Sequence, residues 1–474
     1  MFLNDKTKEK KSNKMPRWFE HYQLKNLYEI YYHDYKKTGR CELPIVSNVG
    51  FVTPLQNDEG VIRKRNECEL GIGDYSNVNL SKYDMQHISF SDGIKWPTST
   101  EHLPKNFSQR LKIIENGKNP GLGIKTLHKK GITGKGVRMA ILDGILPEHE
   151  EYRENIKLIE DVCDRQELTQ LGGCDPRHGA AITSIAVGKN CGVAPDAEVY
   201  YFPYTNYMGI KDKKTSFKNI HKIFERILEL NKTNLKDNPI SVICMSWKTT
   251  FKHLNKEIEG EKEMRELVKK AKNSGIFICT GSKEFDYPEC DMYDHGIGRD
   301  LLKDPDDTDS VLPAYFTTQR ISKHTQNRLL FPMDDRTIAS PESSTSYTHC
   351  VLGGWSFVSP YVAGLYCLAK QTDPNITPQK FWQTMVNSSD KSQANELGGC
   401  IVQPISMIDC LEKQKNNQDK IVHSEAVITS VVGKKEKSMN KTLQKAQEDG
   451  KNMIQNDKRT ITKKGVLLSK QVQH

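Results

Sequence analysis

GKGVRMAILDG, residues 134–144, decides the fold of this chain: glycine-marked turn residues and Arg138 lead into the apolar run MAIL, which stops at an acid, Asp143. A continuous apolar run of strand length reads as a strand buried on both faces, the kind found in parallel sheets covered by helices. Three further runs share the pattern, AEVYYFP (197–203), ISVICMS (240–246) and IFICT (276–280). Helical spacing lies between and after them. Ile220, Ile223, Phe224, Ile227 and Leu228 recur every three or four residues, Met264, Leu267 and Ala271 repeat the device, and Thr377-Pro378 opens a helix carrying Trp382 and Met385. Strands alternating with helices from about Gly131 to Met385 predict an α/β fold with a mostly parallel central sheet flanked by helices.

The chain is 474 residues long, enough for a large domain with extensions. It divides on composition into residues 1–104, an aromatic-rich opening (Trp18, Phe19, Tyr22) followed by turn-rich sequence; residues 105–412, the α/β body; and residues 413–474. Nearly all of the net charge of +9 belongs to the last of these, which holds 14 Lys/Arg against 6 Asp/Glu, an excess of +8. This basic polar tail lacks interleaved aromatics and is expected to be disordered, so no nucleic-acid partner is expected. No run approaches the roughly 18 apolar residues of a membrane span, and MFLNDKTKEKKSNK has no apolar stretch behind its lysines. A cytoplasmic protein is expected. Its twelve cysteines include no Cys-x-x-Cys pair, which argues against a zinc ribbon; Cys244, Cys279 and Cys367 read as reduced core residues.

In open α/β sheets ligands bind beyond the carboxyl ends of the strands, so polar residues that follow apolar runs are candidates for a site. Asp143 closes one strand. His178 opens HGAAITSIAVG, a small-residue helix whose dipole disfavours the imidazolium and suits a general base. Ser356 stands in GGWSFVSPYVAGLYCLA, where glycines turn the chain before an apolar helix. Singly, these read as a turn aspartate, a structural histidine and an N-cap serine. Together, an acid, a base and a hydroxyl in one α/β domain can make a nucleophile: His178 takes the Ser356 proton and Asp143 fixes the imidazole tautomer.

These segments resemble the subtilisin-like serine peptidases over residues of about 120 to 412, and the order Asp, His, Ser is that family's. GKGVRMAILDGILPEHEEY (134–152) is similar to its aspartate segment, with His149 structural; RHGAAITSIAVG and GVAPDAEVYYF resemble its histidine helix and next strand. SVICMSW (241–247) is similar to its cleft-edge strand, and GWSFVSPYVAGLYCLA (354–369) to its nucleophile helix. The resemblance implies a subtilisin-like fold and a serine endopeptidase that takes a polypeptide substrate, with Asp143, His178 and Ser356 catalytic. Ser282, in GIFICTGSKEF (275–285), stands where the family's oxyanion-binding asparagine does.

The chain departs from the family where Asp143 is followed directly by Gly144, and where Trp355, Phe357 and Tyr361 surround the serine, aromatics expected to narrow the site. Ser282 in place of the asparagine and the aromatics around 355–361 support an alternative reading, a pseudoprotease that binds peptides or regulates without turnover. No cofactor or metal is required. The run DPDDTD (304–309) offers oxygen ligands for a structural calcium but lacks an EF-hand glycine and reads as a surface loop. GITGKG (131–136) lacks the spacing of a phosphate loop and reads as a turn, and His349 is placed in a polar loop.

Overall fold

The computed structural model describes residues 52–54, 68–70, 73–162, 176–204, 214–246, 260–280, 296–314 and 328–470. The aromatic-rich opening and Ser282 lie outside the described residues. The strands are β1 (Val52–Pro54), β2 (Cys68–Leu70), β3 (Ile88–Ser91), β4 (Arg138–Asp143), β5 (Ile156–Ile159), β6 (Glu198–Pro203), β7 (Ile240–Met245), β8 (Phe277–Thr280), β9 (Gly296–Arg299), β10 (Val311–Pro313), β11 (Leu329–Pro332), β12 (Arg336–Ala339), β13 (Tyr347–Cys350) and β14 (Cys400–Ile401). The helices are α1 (Arg110–Lys118), α2 (Ile124–Lys129), α3 (Pro176–Val187), α4 (Lys214–Lys232), α5 (Glu261–Asn273), α6 (Val358–Thr372), α7 (Pro378–Ser388), α8 (Ala394–Leu397) and α9 (Pro404–Lys470).

The four apolar runs of the sequence are β4, β6, β7 and β8, and they lie side by side in one parallel sheet, ordered β5-β6-β4-β7-β8. Side chains alternate across a strand, so this sheet feeds two cores. Met139, Ile141, Val242, Cys244, Phe277 and Cys279 pack on the side of α3 and α6. Ala140, Leu142, Ile243, Met245 and Ile278 pack against α4 and α5, through Ile220, Ile223, Phe224, Ile227, Met264 and Leu267. The result is an α/β domain with helices on both faces of a parallel sheet, as the alternation predicts. Thr377 caps α7, its hydroxyl accepting from Lys380 N at 3.2 Å.

A second sheet is not foreseen by the sequence. Its order is β1-β2-β3-β13-β12, so three strands from before residue 105 continue into two from after residue 330. His349, expected in a loop, lies instead in β13, fully buried and opposite Phe90 of β3. The reason is that its strand partner is more than two hundred residues away in sequence. A third sheet, β10-β9-β11-β14, completes the body.

The chain forms two compact units, Met1–Leu411 and Glu412–His474. The second is helical through Lys470, where disorder was expected. It contains no proline, and Lys, Gln, Glu, Met and Ala are good helix formers. A composition too poor in apolar residues for a core still satisfies its own backbone as a helix. Among the described residues no helix is long and apolar enough to cross a membrane.

Candidate active site

Asp143 is the last residue of β4, a strand with neighbours on both sides, and its side chain is buried. A buried carboxylate requires donors. Its Oδ1 accepts from Gly144 N at 2.7 Å and lies 2.6 Å from His178 Nδ1. A carboxylate only accepts, so the shared proton sits on Nδ1; in the neutral imidazole Nε2 then carries the lone pair, the tautomer a general base needs.

His178 stands in the first turn of α3, its side chain 39% exposed, while Ala180, Ala181, Ile182, Ile185 and Ala186 bury the rest of the helix. The next residue, Gly179, lets this turn approach the chain that leaves β4. An added Cβ would meet Ile145 O and Tyr201 Oη, each at 2.7 Å. Tyr201, on β6, donates its hydroxyl to Gly144 O at 2.6 Å and so clasps the turn that follows Asp143. Nothing in the sequence marks Tyr201, which reads as one more apolar strand residue.

Ser356 is the middle residue of a 3₁₀ turn, Trp355–Phe357, that runs into α6. Gly354, at φ 65° and ψ 179°, supplies the left-handed backbone that turns the chain into it. Residues 358–369 of α6 are buried throughout, which anchors the turn, and the Cys279 thiol on β8 donates to Ser359 O at 3.1 Å. The Ser356 hydroxyl donates to Ser246 O at 3.1 Å. Ser246 follows β7 directly; the last pair between β4 and β7 is Leu142 with Met245, so Asp143 and Ser246 each stand one residue beyond it. Asp143 and His178 are thus joined directly, and Ser356 is tied to the same carboxyl edge through β7.

Of the three aromatics around the serine, Phe357 and Tyr361 turn into the core and do not narrow the site; Trp355 alone stays at the surface, 42% exposed. Burial, with the Asp143 charge nearby, pushes the Cys244 thiol up, so it stays protonated and does not compete as a nucleophile. His149 is structural: buried, with Nε2 2.8 Å from Ser346 O and Nδ1 accepting from Glu151 N. In the 304–309 run Asp306 accepts from Gly123 N at 3.0 Å, and among the described residues no three His, Cys, Asp or Glu side chains are grouped to hold a metal ion.

Residues 134–285 match the model of the subtilase family, a span that includes Asp143 and His178 and ends before Ser356. No curated protein matches the chain. Among solved structures, one described as the structural basis of subtilase cytotoxin SubAB assembly is 14% identical, covers 62% of this chain and 96% of its own, and superposes with a TM-score of 0.45. Proteases from Pseudoalteromonas arctica PAMC 21717 are 18% identical over 61% of this chain and 94% of theirs, with a TM-score of 0.43. MycP1 from the ESX-1 type VII secretion system is 17% identical over 60% and 83%, with a TM-score of 0.41.

Proposed function

We propose that this chain, which carries a segment of the subtilase family at residues 134–285, is a serine endopeptidase with Ser356 as nucleophile, His178 as general base and Asp143 as the group that orients it. The observation that carries the reading is the 2.6 Å contact between Asp143 and His178 at the carboxyl edge where Ser356 is also held. With its proton on Nδ1, His178 presents Nε2 to accept the Ser356 proton as the oxygen attacks a peptide carbonyl. The imidazolium so formed is stabilised by Asp143 and returns the proton to the leaving amine. Water then releases the acyl group by the same proton path in reverse. The N–H of Ser356, in the 3₁₀ turn before α6, and Ser282 are the groups assigned to the oxyanion. Trp355, exposed beside the nucleophile, would contact the substrate chain.

One observation favours the pseudoprotease alternative: the Ser356 hydroxyl donates to Ser246 O, and attack requires it to turn to His178. A fluorophosphonate probe separates the two readings. The peptidase reading expects stoichiometric labelling of the wild type that is lost in Ser356→Ala, together with hydrolysis of a denatured protein substrate lost in the same variant. Equal labelling of both proteins, or peptide binding without cleavage, overturns it.

A further inference from the structure

We propose that residues 68–118 are a permanent part of the body that supports the His178 helix, kept in the working protein rather than removed from it. That His178 works as a base rests on the peptidase reading, but the interlock itself does not.

Three independent attachments argue for it. The first is backbone pairing: Phe90 and Ser91 of β3 pair antiparallel with His349 and Thr348 of β13, and the ladder is extended by Asp92 N donating to Tyr347 O and Val351 N to Ser89 Oγ, both at 2.9 Å. Without β3, β13 becomes an open edge. The second is a shared core. Tyr75, Leu80, Met85, Ile88, Phe90 and Ile113 close around Leu301, which follows β9, and the Phe90 ring stands 5.7 Å from that of His349. The third is a buried charge. Arg299, 2% exposed, donates Nη1 to Asn119 O at 2.7 Å and Nη2 to Gly117 O at 3.4 Å and to Asp335 O at 3.0 Å. Two of the three acceptors lie at the end of the segment or just beyond it. Removing one partner from a buried guanidinium is destabilising, and departure of the segment would take Gly117 O, one of these three acceptors.

From this anchorage two links run to the histidine helix. β12, paired with β13, donates Ala339 N to Ser184 Oγ of α3 at 3.2 Å. In the connection between β12 and β13, Glu342 accepts the Ser91 hydroxyl at 2.5 Å and feels the charge of Arg177, the residue immediately before His178. An N-terminal segment that merely plugged a cleft would have no reason to supply a sheet strand, a core and an acceptor of a buried arginine.

The test uses the full chain, nicked by limited proteolysis at exposed Lys105 and then unfolded in urea, with size-exclusion chromatography at each step. The expected result is that the piece containing residues 68–105 co-elutes with the remainder until one common unfolding transition. Release of that piece in an earlier transition, leaving a folded remainder, overturns the proposal. A second measurement compares hydrogen exchange in Phe90→Asp and Phe90→Leu: amides 177–187 should exchange at least about tenfold faster in the first and near the wild-type rate in the second. Unchanged exchange in Phe90→Asp refutes the link to the histidine helix. Neither readout needs turnover, so a failure of probe labelling would overturn the peptidase reading and leave this one standing.

Discussion

Replacing Gly179 by alanine tests whether close approach of two backbones sets the geometry of the site. The new Cβ would lie 2.7 Å from Ile145 O and from Tyr201 Oη and 3.3 Å from Gly144 O, whereas ordinary contact begins at 3.4 Å. The first turn of α3 must therefore retreat from the chain after Asp143 by about 0.7 Å, an overpacking that costs roughly 1–3 kcal/mol. In an unobstructed helix the same substitution would instead stabilise by about 1 kcal/mol, so the two expectations differ in sign. His178 precedes Gly179 and moves with it, lengthening the 2.6 Å contact to Asp143. Misplacement approaching 1 Å costs up to about 10²-fold in rate, so labelling of Ser356 by a fluorophosphonate should slow by about 10- to 100-fold, with Tm lower by about 2–4 °C. Adding Tyr201→Phe removes one of the two oxygens in the way, and the double variant should lose less than the two single losses combined. A Gly179→Ala protein that labels at the wild-type rate and melts higher refutes the reasoning.

Other consequences follow from the same contacts. Asp143→Asn keeps the shape but can donate where the carboxylate accepts, which favours the wrong imidazole tautomer; the hydrolysis rate should fall about 10⁴-fold, and a loss under tenfold would remove Asp143 from the mechanism. Tyr201→Phe leaves the Gly144 carbonyl without its 2.6 Å donor and should cost about 1–2 kcal/mol in urea unfolding, so an unchanged midpoint and slope would show the clasp to be dispensable. Glu342 sits where burial, the chief cause, raises its carboxyl to about 7, with Asp92 nearby adding to the rise and Arg177 opposing it. A carboxyl raised in the folded state contributes stability that is full below its unfolded value near 4.5 and is lost as pH climbs through about 7. Glu342→Gln should therefore match the wild type at pH 4 and melt higher at pH 8, by an amount worth at most about 3 kcal/mol. A gap in Tm that does not widen between those pH values would contradict the assignment.

What the sequence by itself determined is local. β4, β6, β7 and β8 are legible because a strand buried on both faces must be apolar along its length, and α7 because a threonine before a proline caps a helix whatever surrounds it. Asp143 and His178 could be picked out because each interrupts or borders such a run, and Ser356 because glycines precede it and a buried helix follows. Only the tertiary structure decided the rest. Whether Trp355, Phe357 or Tyr361 faces the site depends on the rotation of the turn and of α6 against the sheet, and composition carries no record of that rotation. Tyr201 looks like any other core residue until the fold brings Gly144 beneath its hydroxyl. The tail's polar composition is compatible with disorder and with a solvent-bathed helix alike. The partnership of β3 with β13 joins Phe90 to His349, and pairing across such a separation is selected by closure of the whole chain. No periodicity within either segment records it.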